Sequence, residues 1–273
     1  TCHGEPLYRT VRYANSAFIA RRVFYKKQGL IMNSELALQP VWDFFIRHGG
    51  DFLSSPGFIL TAVMLGVYVP GIFFSIIDVF ITKRLTLKQS AAVYWRAMKW
   101  YSTFYIVAMP IFLFVPLPVK LNIPANAPTV IEFCKDLLFY SLLGDFASYI
   151  GHRIEHQNKW YAKKVHYVHH FDRPPLSIWT AMVVHPVEGF SVFVFFHIYG
   201  ILFPIHPLTF FVAAFSLTAV TMVTHCGYKI PVYDKIFANS PCHDFHHSSR
   251  EPKNVSVVLT ICDRIFGTYQ KAG

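Results

Sequence analysis

Nineteen residues, His152 to His170, read HRIEHQNKWYAKKVHYVHH and hold five histidines at regular intervals. His152 and His156 are four apart, and His166, His169 and His170 fall at i, i+3 and i+4. Positions three or four apart share one face of an α-helix, so each set aims its imidazoles at one region of space. A third set, His243, His246 and His247 in CHDFHH, repeats the i, i+3, i+4 spacing. Imidazole nitrogen suits iron and zinc alike, so the chemistry this spacing points to is metal coordination. His185 and His225 extend the candidates to ten of the fourteen histidines. Ten nitrogens exceed the four to six positions around one ordinary ion, so two metals are expected. His3, His48, His197 and His206 stand singly and read as ordinary core or surface residues.

Around the ligands, Asp145 falls on the helical face of positions 149, 152 and 156, where a carboxylate would accept an imidazole N–H and fix its tautomer. Asp244 and Asp263 are candidates for the same role. Glu155 lies inside the first histidine set but on a neighbouring face, and reads as a solvated acid. Five cysteines form no CxxC pair, which indicates neither a disulfide framework nor a zinc knuckle.

The elements that must carry these residues belong to a membrane protein. The composition is 53% hydrophobic, 17% aromatic and only 15% charged over 273 residues, with a mean hydropathy of +0.36, too apolar for a soluble domain. The formal charge of +10 comes from short basic clusters beside apolar runs, which suits an anionic lipid surface and not nucleic acid. Residues 1–56 read as a basic N-terminal arm followed by an interfacial helix at 41–53, and residues 57–273 as the membrane domain. The arm shows no secretory apolar core, and its start without methionine reads as a processed or trimmed end.

Gly57 to Thr82, Trp100 to Val119 and Val130 to Gly151 are expected to cross the bilayer. Pro186 to His225 is expected to form a hairpin of two spans turning at FPIHP, which returns His185 and His225 to one side. The fold class is therefore all-α integral membrane, with about four to five transmembrane helices and a histidine-rich helical cap. Segments 83–99, 152–185 and 226–273 then share a face and hold 16 of the 25 Lys and Arg. The positive-inside rule makes that face cytosolic, or the matrix side of a mitochondrial membrane.

HRIEH, HYVHH and HDFHH resemble the HxxxH, HxxHH and HxxHH boxes of the fatty acid hydroxylase and sterol desaturase superfamily. The resemblance runs from about Asp145 to Gln270 and includes HPVEG, HCGY and NVSVVLTICDRIFGTY. Within it, HDFHH with the DRIFGT tail is most similar to sterol C4-methyl oxidases, and HPVEG to sterol C5-desaturases. The resemblance implies two iron ions in a cytosolic cap, dioxygen as oxidant, electrons from a b-type cytochrome and its reductase, and a lipid substrate such as a sterol or fatty acyl chain. The expected location is the endoplasmic reticulum membrane, with the mitochondrial inner membrane, which the basic, acid-poor start would also suit, as alternative. Three departures stand out: Cys262 where many members have Trp, PPLSIW after the second box, and QKAG in place of a dilysine terminus. A second reading is a structural subunit of a larger membrane complex that keeps the fold, and the intact histidine set argues against it.

Overall fold

The computed structural model describes residues 37–114, 123–190, 205–249 and 252–271. The basic arm before residue 37, the end of the expected span Trp100 to Val119 together with 120–122, and the first limb of the expected hairpin at 191–204 lie outside the described residues.

Eight α-helices order the described chain: α1 Gln39–Gly49, α2 Pro56–Ile76, α3 Leu87–Phe114, α4 Val130–Gln157, α5 Lys159–Lys164, α6 Pro207–Val223, α7 Ser240–Ser249 and α8 Ile261–Ile265. No strand forms among the described residues, where one isolated bridge joins Phe237 to Leu259. The all-α expectation holds.

Local chemistry explains the boundaries. Thr129 caps α4 through a capping box, its hydroxyl accepting from Glu132 N and its own N–H donating to the Glu132 carboxylate. Asn158 accepts from Trp160 N and Tyr161 N at 3.1 Å, ending α4 and starting α5 in a single residue. His206 caps α6, Nδ1 accepting from Leu208 N at 3.1 Å while Nε2 donates to Asn126 O at 3.0 Å. That is the ordinary role foreseen for it.

α2 and its terminal π turn, Gly57–Ile81, form a 25-residue helix with mean hydropathy 2.1. Among the described residues it is the one helix both long and apolar enough to cross a membrane, and α6 is a shorter apolar helix. α3 and α4 are 28 residues each, about 42 Å at the helical rise; the charges of α3, Lys88, Arg96 and Lys99, lie in its first half, and charges are spread through α4. Glu132, Lys135 and Asp136 occupy the opening turns of α4, which leaves too short an apolar run to mark it as a span on composition.

α2 packs along α6, and α6 along α4. Gly66 permits the first approach, since a Cβ there would lie 2.7 Å from Phe215 O. At one end of this layer Trp42, Leu53, Phe58 and Leu208 are buried together, so the 41–53 segment does not merely lie on an interface. Trp42 is anchored, its indole donating to Pro124 O at 2.8 Å. At the other end Val67, Phe74, Ile178, Trp179, Met222 and Cys226 form the core beneath the histidines.

Candidate metal centre

Four elements bring nine of the ten candidate histidines together. The last turns of α4 carry His152 and His156, a 3-10 turn from His166 to Phe171 carries three more, His225 follows α6, and α7 carries His243, His246 and His247. HYVHH is thus not α-helical as its spacing suggests. A 3-10 turn advances about 120° per residue, so His169 and His170 diverge.

The nitrogens fall into two groups, each with its candidate ligand atoms within 4.8 Å of one another: His152, His156, His166, His170 and His246, and His169, His225, His243 and His247. Neither the second nor the third histidine set stays together; each sends residues to both groups. The rings of His170 and His247 stack across the boundary with centroids 4.4 Å apart.

Proton inventory shows what the groups are built to hold. His152 Nδ1 lies 2.7 Å from Val255 O, and His246 Nδ1 lies 2.8 Å from Lys253 O. A carbonyl only accepts, so each Nδ1 carries the hydrogen, and in a neutral ring Nε2 is then a bare lone pair. Nδ1 of His166 faces carboxylates, Glu188 at 3.2 Å and Glu155 at 3.5 Å, which assigns its hydrogen the same way. The bare Nε2 atoms of His152 and His166 nevertheless face each other at 3.2 Å, and Nε2 of His156 lies 3.0 Å from that of His166 and 3.1 Å from that of His246. In the other group Nε2 of His243 lies 3.1 Å from that of His225 and 3.2 Å from that of His247. His170 Nε2 is buried with no partner among the described residues. Lone pairs aimed at each other, as at His152 and His166, repel unless a cation sits between them, and the second group likewise gathers four buried nitrogens within 4.8 Å of one another, so both groups fit metal ions.

Protonation does not resolve the crowding. Burial, with His156 as a further contributor, pulls His169 down to about 4 and His246 to about 3. His243 and His247 are lowered in the same direction, by burial first and then by neighbouring imidazoles.

The remaining candidates sit elsewhere. His185 is outside both groups, its Nδ1 accepting from Val187 N at 3.2 Å at the start of the next helical turn. Asp145 accepts from Leu259 N at 2.8 Å instead of from an imidazole. Asp263 accepts from Val255 N, Ser256 N and Thr268 Oγ1 at 2.9, 3.0 and 2.7 Å, so it reaches His152 only through the Val255 carbonyl. Asp244 is engaged by the Leu176 backbone. Glu155 is not solvated: its side chain is 13% exposed beside His166, and burial pushes it up to about 7. The group that sequence reasoning missed is Glu188. Its position in HPVEG, an acid within an apolar stretch three residues after His185, was the available signal.

A fatty acid hydroxylase family model matches residues 137–268, which contain all nine gathered histidines. A cholesterol 25-hydroxylase-like protein of Caenorhabditis briggsae is 31% identical over 227 residues, covering 77% of this chain and 75% of its own. The chain belongs to the fatty acid hydroxylase family. It is accordingly an oxidoreductase, and other members resemble it over shorter stretches. A methylsterol monooxygenase 2-2 of Arabidopsis thaliana is 34% identical over 151 residues, 52% of this chain and 54% of its own. A very-long-chain aldehyde decarbonylase GL1-10 of Oryza sativa subsp. japonica is 28% identical over 153 residues, 52% and 48% of the two chains. No solved structure matches this hydroxylase-family chain.

Proposed function

We propose that the chain is a membrane-bound di-iron oxygenase that hydroxylates or desaturates a lipid, either a sterol or a fatty acyl chain. The observation that carries this reading is the convergence of buried imidazole nitrogens in two adjoining groups of five and four. Nine neutral ligands leave the ions their full positive charge, and the sets suit two irons, with zinc chemically admissible in the same positions. Iron, when bound, supplies the dioxygen activation that cleavage of an unactivated C–H bond requires and that no side-chain acid or base provides.

The protein's own part is orientation and exclusion of water. The backbone of 253–255 fixes the tautomers of His152 and His246, and Glu188 faces the far nitrogen of His166. Ile178, Trp179, Ala181 and Val183 form a buried apolar layer with Cys226, next to His225, and Val168, next to His169, packs against it. A groove of about 230 Å³ opens between the end of α2 and the start of α3, lined by Ile76, Val79, Phe80, Leu87, Tyr94 and Trp179. It offers a lipid an entry from the bilayer.

In this reading four to five helices cross the membrane, α3, α4 and the 186–225 hairpin adding to α2, with the histidine groups on the cytosolic face of the endoplasmic reticulum. A b-type cytochrome and its reductase deliver the electrons. The scaffold alternative has no support: the relatives carry the names of enzymes, and a scaffold does not require facing lone pairs. The test is metal analysis and oxygen-dependent turnover of a sterol and acyl-lipid panel by the full chain in lipid nanodiscs. About two irons per chain and a hydroxylated or desaturated product are expected. A metal-free chain without oxygen-dependent turnover would overturn the reading.

A further inference from the structure

The linker after α2 holds a group that neither metal set includes. Asp78 lies in the π turn that closes the apolar span and is 1% exposed. A buried carboxylate at the end of a membrane helix is costly unless it is paired. Arg84 pairs with it in fork geometry, Nε to Oδ1 at 2.9 Å and Nη2 to Oδ2 at 3.0 Å. The Tyr228 hydroxyl donates to the same Oδ1 at 2.5 Å.

The ion pair does not end there. Nη2 of Arg84 also donates to Cys226 O at 2.9 Å, across 142 residues. Gly227 N, on the other side of that same peptide bond, donates to Ser240 Oγ at 2.7 Å. One peptide plane is therefore gripped at its oxygen by Arg84 of the linker after α2 and at its nitrogen by the first residue of α7. His225 is the residue immediately before this plane, and His243 and His247 stand on α7. Gly227 is required by the arrangement: its φ is +76°, and a Cβ would lie 1.7 Å from Arg84 Nη1.

We propose that Arg84 is a positioning residue for the four-histidine group, holding the 226–227 peptide so that His225 faces His243 and His247. The proposal rests on the reading of that group as a metal site. It also separates two roles that a single arginine combines here. Pairing with Asp78 stabilises the fold, and any cation on a flexible stem performs it. Bonding the Asp78 carboxylate and the Cys226 carbonyl together needs the planar fork, which a lysine ammonium lacks.

The experiment is a Co²⁺ titration of the metal-stripped full chain in nanodiscs, followed by the visible absorption of bound Co²⁺, on the wild type and on Arg84→Lys and Gly227→Ala. The wild type is expected to take up two Co²⁺ per chain. Both variants are expected to keep the first with unchanged affinity and to bind the second on the order of tenfold or more weaker, the size typical of lost ligand orientation. Thermal midpoints of the stripped chains are recorded in parallel. Where Gly227→Ala does not fold, Tyr228→Phe replaces it, with a smaller weakening of the same second ion. Variants that bind both ions like the wild type, or that lose both equally, overturn the proposal while the metal centre stands. A wild type that takes up no Co²⁺ overturns the metal reading and this proposal with it.

Discussion

Glu188 Oε1 lies 3.2 Å from Nδ1 of His166, on the far side of the ring from the Nε2 that faces His152 and His156. A buried carboxylate behind a ligand imidazole fixes its orientation and raises its basicity. Glu188→Ala is expected to weaken metal binding at the five-histidine group on the order of tenfold, measured by chelator competition. Glu188→Gln retains an acceptor oxygen, so a smaller loss is expected; equal losses would show that Glu188 acts through packing.

His185 and His225 bracket the same hairpin in sequence but have different fates. His225→Ala should remove the metal of the four-histidine group. His185→Ala should leave the metal content unchanged and cost about 1 kcal/mol, the size of a lost helix cap. Metal analysis with thermal unfolding of both variants decides the matter, and loss of metal from His185→Ala would contradict the present grouping.

The two metal groups were only partly legible in the sequence. Spacing identified eight of the nine gathered histidines, because i, i+3 and i+4 are local relations, with the expected hairpin adding His225. It did not divide them into five and four, because that division depends on the 3-10 winding of 166–171 and on how α7 meets α4. The carboxylates fared differently. Asp145 shares the helical face of His152, but tertiary contact gives it to Leu259 N, 114 residues away. Glu155 sits beside His166 because the 3-10 turn folds back over α4, which no helical wheel displays. Likewise the cations of the 83–99 linker looked like lipid-facing charge, yet Arg84 and Arg96 are committed to Asp78 and Asp172.

Asp263 accepts three hydrogen bonds while 2% exposed. Asp263→Ala leaves buried N–H groups at Val255 and Ser256 without an acceptor, each costing about 1–3 kcal/mol. A loss of roughly 3 kcal/mol in stability is expected, read from thermal unfolding in detergent. The metal should also become easier to strip, since Val255 O is the acceptor for His152.

Acid should act on the metal-stripped chain through its buried imidazoles. His169 and His246 titrate near 4 and 3 when folded, against about 6.5 for an ordinary histidine. Between about pH 6.5 and 4 the unfolded chain binds protons that the folded chain does not, so stability falls as pH falls. Above about pH 6.5 these groups contribute no slope. The thermal midpoint of the stripped chain should therefore be level at neutral pH and decline below about 6.5. Bound metal, competing with protons for the same nitrogens, should flatten the decline until it is released.

His169 and His170 are consecutive residues that belong to different groups, and so are His246 and His247. Consecutive Cα atoms are about 3.8 Å apart whatever the fold does around them. The two imidazole sets are thus joined by a pair of covalent rungs, one in the 166–171 turn and one in α7. Breathing of the helices cannot slide one set away from the other while both rungs hold. The spacing between the two imidazole sets is therefore written into the backbone itself.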